Sequence, residues 1–204
     1  MMSSKPHLPR LLLASTSPRR RQILESLNLV FEVVSPGSDE ASAHAGNVEQ
    51  VTMENAILKA RSCLVSAKFE TDIVIGSDTL VVLDNEVMGK PLDEAEAIQM
   101  LTRLSGQWHR VVTGVALVSK KYGELKAHDI SKIKFKNLTS LEIKNYASTK
   151  EPYDKAGSYA IQGLGALFIE KIEGSYTNVM GFPVEKFLSE LSRFSHIPLK
   201  EWFS

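Results

Sequence analysis

The chain has 204 residues, and its composition of 43% hydrophobic and 24% charged residues is ordinary for a globular protein. Lysine plus arginine equals aspartate plus glutamate at 24 each, so the formal net charge is zero. Proteins that bind nucleic acid generally carry a basic excess, so any affinity for phosphate must come from local clustering. The apolar run after Arg10 is too short for a signal peptide or a membrane span. We expect a cytoplasmic protein without nucleic-acid or membrane partners.

Hydrophobic periodicity in the first half of the chain predicts strands that alternate with helices. In chain order these are a strand over 10–15, a helix over 18–27, a short strand over 30–34, a long helix over 48–69 and a strand over 72–76. A hairpin of 79–83 and 86–88 follows, and Asp84-Asn85 suits its turn.

Predicted strands cluster in the middle of the chain. The pattern predicts a helix over 93–104, strands over 111–119 and 125–135, a helix over 139–147, a strand over 166–172 and a helix over 183–194. This order predicts a mixed, twisted α/β sheet flanked by helices, with two lobes and a cleft between them. No repeat or linker divides the chain, so we expect a single domain over 1–204.

The turn between the first strand and the first helix carries the strongest functional signal. Ser17 suits the N-cap and Pro18 the first helical turn, so unpaired N–H groups and the positive end of the helix dipole lie beside the arginines of 19–21. Positive charge there is unfavourable unless an anion binds, which favours a site for a nucleotide phosphate chain. A solvated basic patch on an exposed helix is the alternative. The candidate residues are Ser15, Ser17, Arg19 and Arg20.

Two further segments follow in chain order. Asp78 comes after the buried β-branched run of 72–76, where α/β sheets place their sites, and is a candidate metal ligand or general base. A turn aspartate is the alternative. Residues 89–93 lack the glycines of a P-loop, but Lys90 could reach a phosphate. Asp93 is either a metal ligand or the N-cap of the next helix.

Polar side chains elsewhere suit the wall of a cleft. Lys59 shares a helix face with Glu54 and Asn55, and that face either looks into the cleft or forms a solvated i,i+4 pair. The loop of 154–163 is long enough to be functional. Its Gln162 offers an amide donor and acceptor to a base edge, although a well-packed connection is the alternative.

Cysteine and histidine show no spacing typical of a zinc site. Cys63 is the only cysteine, which excludes an intrachain disulfide, and its apolar neighbours predict a core residue. His44 and His109 are lone histidines and are not assigned to catalysis.

Taken together, these segments resemble the Maf family of nucleoside triphosphate pyrophosphatases. The matching stretches, in the family order, are LASTSPRRRQIL (13–24), ENAILKA (54–60), IGSDTLV (75–81), GKPLDEAEAIQML (89–101), SGQWHRVVTGVAL (105–117), YDKAGSYAIQGLG (153–165) and GSYTNVMGFP (174–183). One such stretch would be weak, but the whole series in register over nearly the entire chain is very specific.

The resemblance implies a fold related to inosine triphosphatase, and cleavage of a nucleoside triphosphate to a monophosphate and pyrophosphate. It also implies a divalent metal, Mg²⁺ or Mn²⁺, and a homodimer. Asp78 is then the expected proton acceptor and a metal ligand, with Glu40 and Asp93 as further candidate ligands. The implied phosphate-binding residues are Ser15, Ser17, Arg20, Lys59 and Lys90.

Three positions separate the substrate branches of that family. Arg19, Thr79 and Gln162 resemble the branch that acts on dTTP, UTP and some modified pyrimidine nucleotides. The sister branch has tryptophan, glutamine and glutamate there and prefers 7-methyl-GTP, whose cationic base favours an aromatic face and a carboxylate. Two alternatives remain: that sister specificity, or a nucleotide-binding regulator of septum formation without turnover.

Overall fold

The computed structural model describes residues 8–37 and 47–203 of the chain. Its strands are β1 (Leu11–Ala14), β2 (Phe31–Val34), β3 (Ile73–Leu83), β4 (Glu86–Met88), β5 (Trp108–Ser119), β6 (Gly123–Phe135) and β7 (Ile169–Glu173). Its α-helices are α1 (Pro18–Ser26), α2 (Val48–Ser62), α3 (Glu94–Leu104), α4 (Ser140–Ala147), α5 (Tyr176–Met180), α6 (Val184–Ser195) and α7 (Leu199–Trp202). None of the helices in these ranges is long and apolar enough to cross a membrane.

The strands form one mixed sheet in the order β2-β1-β3-β5-β6-β7, and β4 pairs with the end of β3. β1 pairs in parallel with both β2 and β3, whereas β3, β5, β6 and β7 are antiparallel neighbours. Parallel strands need crossover connections, and α1 and α2 lie in those connections. The prediction of a mixed α/β sheet flanked by helices is confirmed.

Helices cover both faces of the central strands, as the alternating side chains of β1 show. Leu11 and Leu13 belong to a buried cluster with Phe187 and Leu191 of α6. Leu12 belongs to a second cluster on the other face, with apolar residues of α2. Because both faces are covered, β1 and the start of β3 are continuous apolar runs rather than alternating ones.

The course of β3 corrects the prediction of a strand that ends at residue 76. β3 runs without a break over Ile73–Leu83, so Asp78 lies in its middle rather than after its end. Asp78 pairs with Gly114 of β5 in the ladder. The polar residues 77–79 belong to the strand because each of their side chains finds a hydrogen-bond partner on another element.

The predicted helix over 48–69 is confirmed at its start but is too long, because α2 spans Val48–Ser62. A 3-10 turn over Leu64–Ser66 follows. The carboxylate of Asp72 accepts hydrogen bonds from the backbone N–H groups of Lys68 and Phe69, at 2.8 and 3.2 Å. A side chain that captures backbone N–H groups in this way competes with continuation of a helix.

Two glycines let α2 lie directly on the sheet. A Cβ atom at Gly76 of β3 would lie 1.9 Å from the carbonyl oxygen of Ala56, and one at Gly114 of β5 would lie 2.4 Å from that of Thr52. These are backbone atoms of α2, so relief of such a clash would require a shift of the helix. The two glycines therefore set α2 against the polar middle of β3.

Gly76→Ala is expected to lower the free energy of unfolding by about 1–3 kcal/mol, because the added methyl group overpacks this contact. Urea denaturation of the variant and the wild type measures the difference. Gly89→Ala is the control, because nothing lies within 4 Å of the Cβ atom that it adds. Equal stability of the two variants would contradict this account of the helix–sheet contact.

Candidate active site

A polar cleft beside the middle of β3 has a volume of about 340 Å³. Its wall combines the turn before α1, one face of α2, β3, the loop before α3, the segment 154–161 and the end of α5. The predicted site residues in this wall are Ser15, Ser17, Arg19, Arg20, Lys59, Asp78, Thr79 and Lys90. Arginine and lysine outnumber aspartate among the lining residues, so the cleft suits an anion.

Asp78 is buried in this wall and has two polar partners on α2. Lys59 Nζ donates to Oδ1 at 2.7 Å, and Asn55 Nδ2 donates to Oδ2 at 3.0 Å. Burial alone raises the pKa of the Asp78 carboxyl, but the charge of Lys59, the two hydrogen bonds and the charge of Arg20 outweigh it. The pKa therefore lies below its usual value, and Asp78 is ionised at neutral pH.

Arg20 is held in a fixed orientation by three acceptors. Its Nε donates to the carbonyl oxygen of Gly181 at 2.8 Å, Nη1 to Ser15 Oγ at 3.3 Å and Nη2 to Thr79 Oγ1 at 3.2 Å. A planar guanidinium presented in one orientation to a cleft matches the geometry of phosphate oxygens.

The start of α1 adds positive potential to the same wall. Ser17 is the N-cap but makes no side-chain capping bond, and its backbone N–H donates to Ser15 Oγ at 3.2 Å. The first turn of α1 holds no acidic residue, and Arg19 Nη1 lies 3.8 Å from Asp154 Oδ2 on the segment 154–161. The positive end of the helix dipole and the arginines thus lie at the same wall of the cleft, as predicted for an anion site.

A family model described as Maf-like protein matches residues 10–194. The chain belongs to the Maf family. The dTTP/UTP pyrophosphatases of Symbiobacterium thermophilum and Aquifex aeolicus are each 44% identical to it. The match to the first relative covers 93% of this chain and 96% of the relative. The match to the second covers 87% of this chain and 91% of the relative. A solved HAM1 protein from Coxiella burnetii is 16% identical, covers 96% of this chain and 95% of that chain, and has a TM-score of 0.49.

The three positions predicted to decide the substrate base do not all lie in the cleft. Arg19 and Thr79 line it, whereas Gln162 is half-buried and lies next to the lining residue Ile161. The role of Gln162 in base recognition therefore stays a prediction.

The candidate metal ligands are also only partly assembled. No group of three or more His, Cys, Asp and Glu side chains that could hold a metal occurs within residues 8–37 and 47–203. Asp93 Oδ1 accepts from the backbone N–H of Glu96 at 2.9 Å as the N-cap of α3, outside the cleft, so the structure does not bring it to Asp78. Glu40 lies outside the described residues. Mg²⁺ is commonly held by one or two carboxylates plus substrate phosphates, and of the predicted ligands that the structure describes only Asp78 lines the cleft.

Glu151 organises the loop that was predicted to read the base, and the sequence did not single it out. Its carboxylate accepts from the backbone N–H groups of Leu164 and Gly165, at 3.1 and 2.9 Å, and from the hydroxyl of Tyr146 at 2.9 Å. Tyr146 Oη in turn accepts from the backbone N–H of Ala160 at 3.3 Å. Both sides of the loop are thereby tied to one carboxylate. No sequence motif marks such a residue, because its partners are mostly backbone groups.

Glu151→Gln is expected to lower the free energy of unfolding by about 1–3 kcal/mol, because the new amide nitrogen cannot accept a backbone N–H. Hydrogen exchange at the amides of Leu164 and Gly165 should become faster in the same variant. The control is Glu170→Gln, which changes an exposed glutamate nearby. Unchanged exchange at both amides would refute the role given to Glu151.

Cys63 and His109 are both buried, and the prediction of Cys63 as a core residue is confirmed. Burial raises the pKa of the Cys63 thiol and lowers the pKa of His109 to about 3. His109 Nε2 forms a hydrogen bond of 2.7 Å with the hydroxyl of Tyr159, which lines the cleft. At neutral pH His109 is therefore an uncharged support behind the cleft wall.

The burial of His109 predicts a pH-dependent loss of stability. Its pKa is about 3 in the folded protein, against an ordinary value of 6.5. As the pH falls below 6.5, His109 takes up a proton in the unfolded chain but stays neutral in the folded protein. The free energy of unfolding then falls by up to about 1.4 kcal/mol per pH unit.

His109→Gln removes the titrating group, so only the wild type loses this stability as the pH falls. The free energy of unfolding of the wild type minus that of the variant should therefore be smaller at pH 5 than at pH 7. Urea denaturation at the two pH values measures it. A difference that stays constant would show that His109 does not titrate as the structure requires.

Proposed function

We propose that this protein hydrolyses dTTP and UTP to the corresponding monophosphate and pyrophosphate. The observation that carries the proposal is the cleft in which an ionised Asp78 faces a set of arginine and lysine side chains. The two relatives described above, at 44% identity over nearly their full length, are named for this activity.

The triphosphate chain is proposed to lie among the cationic side chains and hydroxyls of the cleft. The residues that would bind it are Ser15, Ser17, Arg19, Arg20, Lys59 and Lys90. Fixed positive groups stabilise the negative charge that develops on the leaving pyrophosphate, and they act more strongly in a cleft than in water. This arrangement explains why the site needs no basic excess over the whole chain.

Asp78 is proposed to act as the proton acceptor. Water attacks the α-phosphorus, its proton passes to the Asp78 carboxylate, and the bond from the α-phosphorus to the oxygen bridging to the β-phosphorus breaks. Lys59 and Asn55 keep the carboxylate oriented and ionised, so it carries no proton before the water attacks. A bound Mg²⁺ or Mn²⁺, held by Asp78 and phosphate oxygens, would supply further charge neutralisation.

The base preference is proposed from Arg19, Thr79 and Gln162. A uracil or thymine ring presents carbonyl acceptors and one N–H, which an arginine and an amide can match. This set favours pyrimidine substrates over the alternative of 7-methyl-GTP. The identity of the metal, the homodimer, the cytoplasmic location, the single domain and any link to septum formation stay predictions.

The first test is pyrophosphate release from dTTP, UTP, CTP, GTP and 7-methyl-GTP with Mg²⁺ or Mn²⁺. We expect release from dTTP and UTP. Asp78→Asn should lower kcat/KM by about 100-fold or more, because the amide cannot take up the proton. Asp84→Asn is the matched control, because Asp84 lies in the turn after β3 at a φ of 48° that asparagine adopts equally well.

Each other outcome has a distinct meaning. Preference for 7-methyl-GTP would assign the protein to the sister specificity. Nucleotide binding without any turnover would support the regulator instead. Full activity of Asp78→Asn would overturn the assignment of the proton acceptor.

A further inference from the structure

A second group of buried polar residues lies behind Arg20, on the face of β3 opposite to α2. Thr113 of β5 pairs with Thr79 of β3 in the sheet, and their Oγ1 atoms are 3.1 Å apart. Thr113 Oγ1 also donates to the carbonyl oxygen of Asn178 at 2.9 Å. Thr113 and Asn178 are completely buried. Neither residue is among those that line the cleft.

The direction of each hydrogen bond in this group follows from the number of hydroxyl protons. A carbonyl oxygen can only accept, so Thr113 donates its one hydroxyl proton to the backbone carbonyl of Asn178. The bond between the two threonines must then run from Thr79 to Thr113. Thr79 in turn has no proton left for Arg20 and can only accept from its Nη2, at 3.2 Å. The chain of donors thus runs from Arg20 through both threonines to a backbone carbonyl.

The carbonyl at the end of this chain is itself fixed. The side-chain Nδ2 of Asn178 donates to the carbonyl of Val111 at 3.1 Å and to Ser131 Oγ at 2.9 Å. Gly181 closes the turn after α5 with a φ of 105°, and its N–H donates to the Asn178 carbonyl at 2.9 Å. Gly181 then offers its own carbonyl to Arg20 Nε at 2.8 Å. The turn after α5 therefore fixes the Arg20 guanidinium in two ways. The Gly181 carbonyl accepts from it directly, and the Asn178 carbonyl acts through the two threonines.

We propose that Thr113 is a positioning residue for Arg20 and acts by fixing the hydroxyl of Thr79 as an acceptor. This inference rests on the proposed function to the extent that Arg20 binds phosphate. Without Thr113, the proton of the Thr79 hydroxyl loses its acceptor on β5, so the side chain can rotate and Oγ1 is no longer held toward Nη2 of Arg20. Of the three described acceptors of Arg20, one is then no longer fixed in position, and the guanidinium is oriented less strictly.

The test is a double-mutant cycle with inorganic tripolyphosphate as the ligand, measured by titration calorimetry in the absence of metal. Tripolyphosphate carries no base, so it reports only on the phosphate-binding groups. Thr113→Val is expected to weaken its binding about tenfold, a coupling typical of residues in one hydrogen-bond network. In the Arg20→Lys background the same change should weaken binding by less than about twofold, because the lysine lacks the oriented fork.

Two further variants separate positioning from a loss of packing. Thr113→Ser keeps the hydroxyl and should restore binding to near the wild-type value. Thr52→Val removes another completely buried threonine hydroxyl, whose described hydrogen bonds are to carbonyls of its own helix, and should leave binding unchanged. If Thr113→Val does not fold, Thr79→Val removes the same acceptor and should reproduce the tenfold loss.

Equal weakening by Thr113→Val in the two backgrounds would overturn the proposal, as would wild-type binding by the single variant or failure of Thr113→Ser to restore it. Pyrophosphate release from UTP is measured on the same wild-type preparation. Absence of that release would refute the proposed function alone, since tripolyphosphate binding still decides whether Thr113 acts through Arg20.

Discussion

Asp78 and Lys59 form an ion pair of 2.7 Å at the base of the cleft, and their side chains are only 7% and 9% exposed. Two charges withdrawn from water are costly unless each keeps its partner, so the pair constrains how α2 can lie on the sheet. Gly76 and Gly114 permit that position because neither presents a Cβ atom to the backbone of α2. The same contact holds the carboxylate in its ionised form, so the fold and the chemistry of the cleft depend on one interaction.

β3 organises two halves of the site because successive side chains of a strand point to opposite faces. Asp78 points to α2, which supplies Lys59 and Asn55. Thr79 points to the other face, where Arg20 and Thr113 contact it. The neighbouring residues Asp78 and Thr79 therefore contact different elements, since Asp78 contacts α2 whereas Thr79 contacts Arg20 of α1 and Thr113 of β5. This division explains why a buried strand tolerates consecutive polar residues in its middle.

Several site residues were predictable from the sequence because their signal is local. The serines and arginines of 15–21 follow an apolar strand and open a helix, and this placement alone indicated an anion site. Asp93 shows the limit of such reasoning, since the N-cap alternative is the one that the structure displays. Asp78 was selected for a position after a strand, whereas the strand continues through it. Its polar neighbours looked like a turn because the partners that satisfy them are distant in the chain.

The sequence by itself determined most of the strands and helices in their order, the cationic start of α1 and the resemblance to the Maf family, because these depend on residues close together in the chain. Only the tertiary structure decided which groups meet. Lys59 reaches Asp78 across 19 positions, and Arg20 reaches the Gly181 carbonyl across 161. Glu151 and Thr113 could be recognised only in the tertiary structure, because backbone N–H and carbonyl groups distant in the chain are among their hydrogen-bond partners. Strand register and the close approach of α2 set these contacts, and neither is encoded in any single segment.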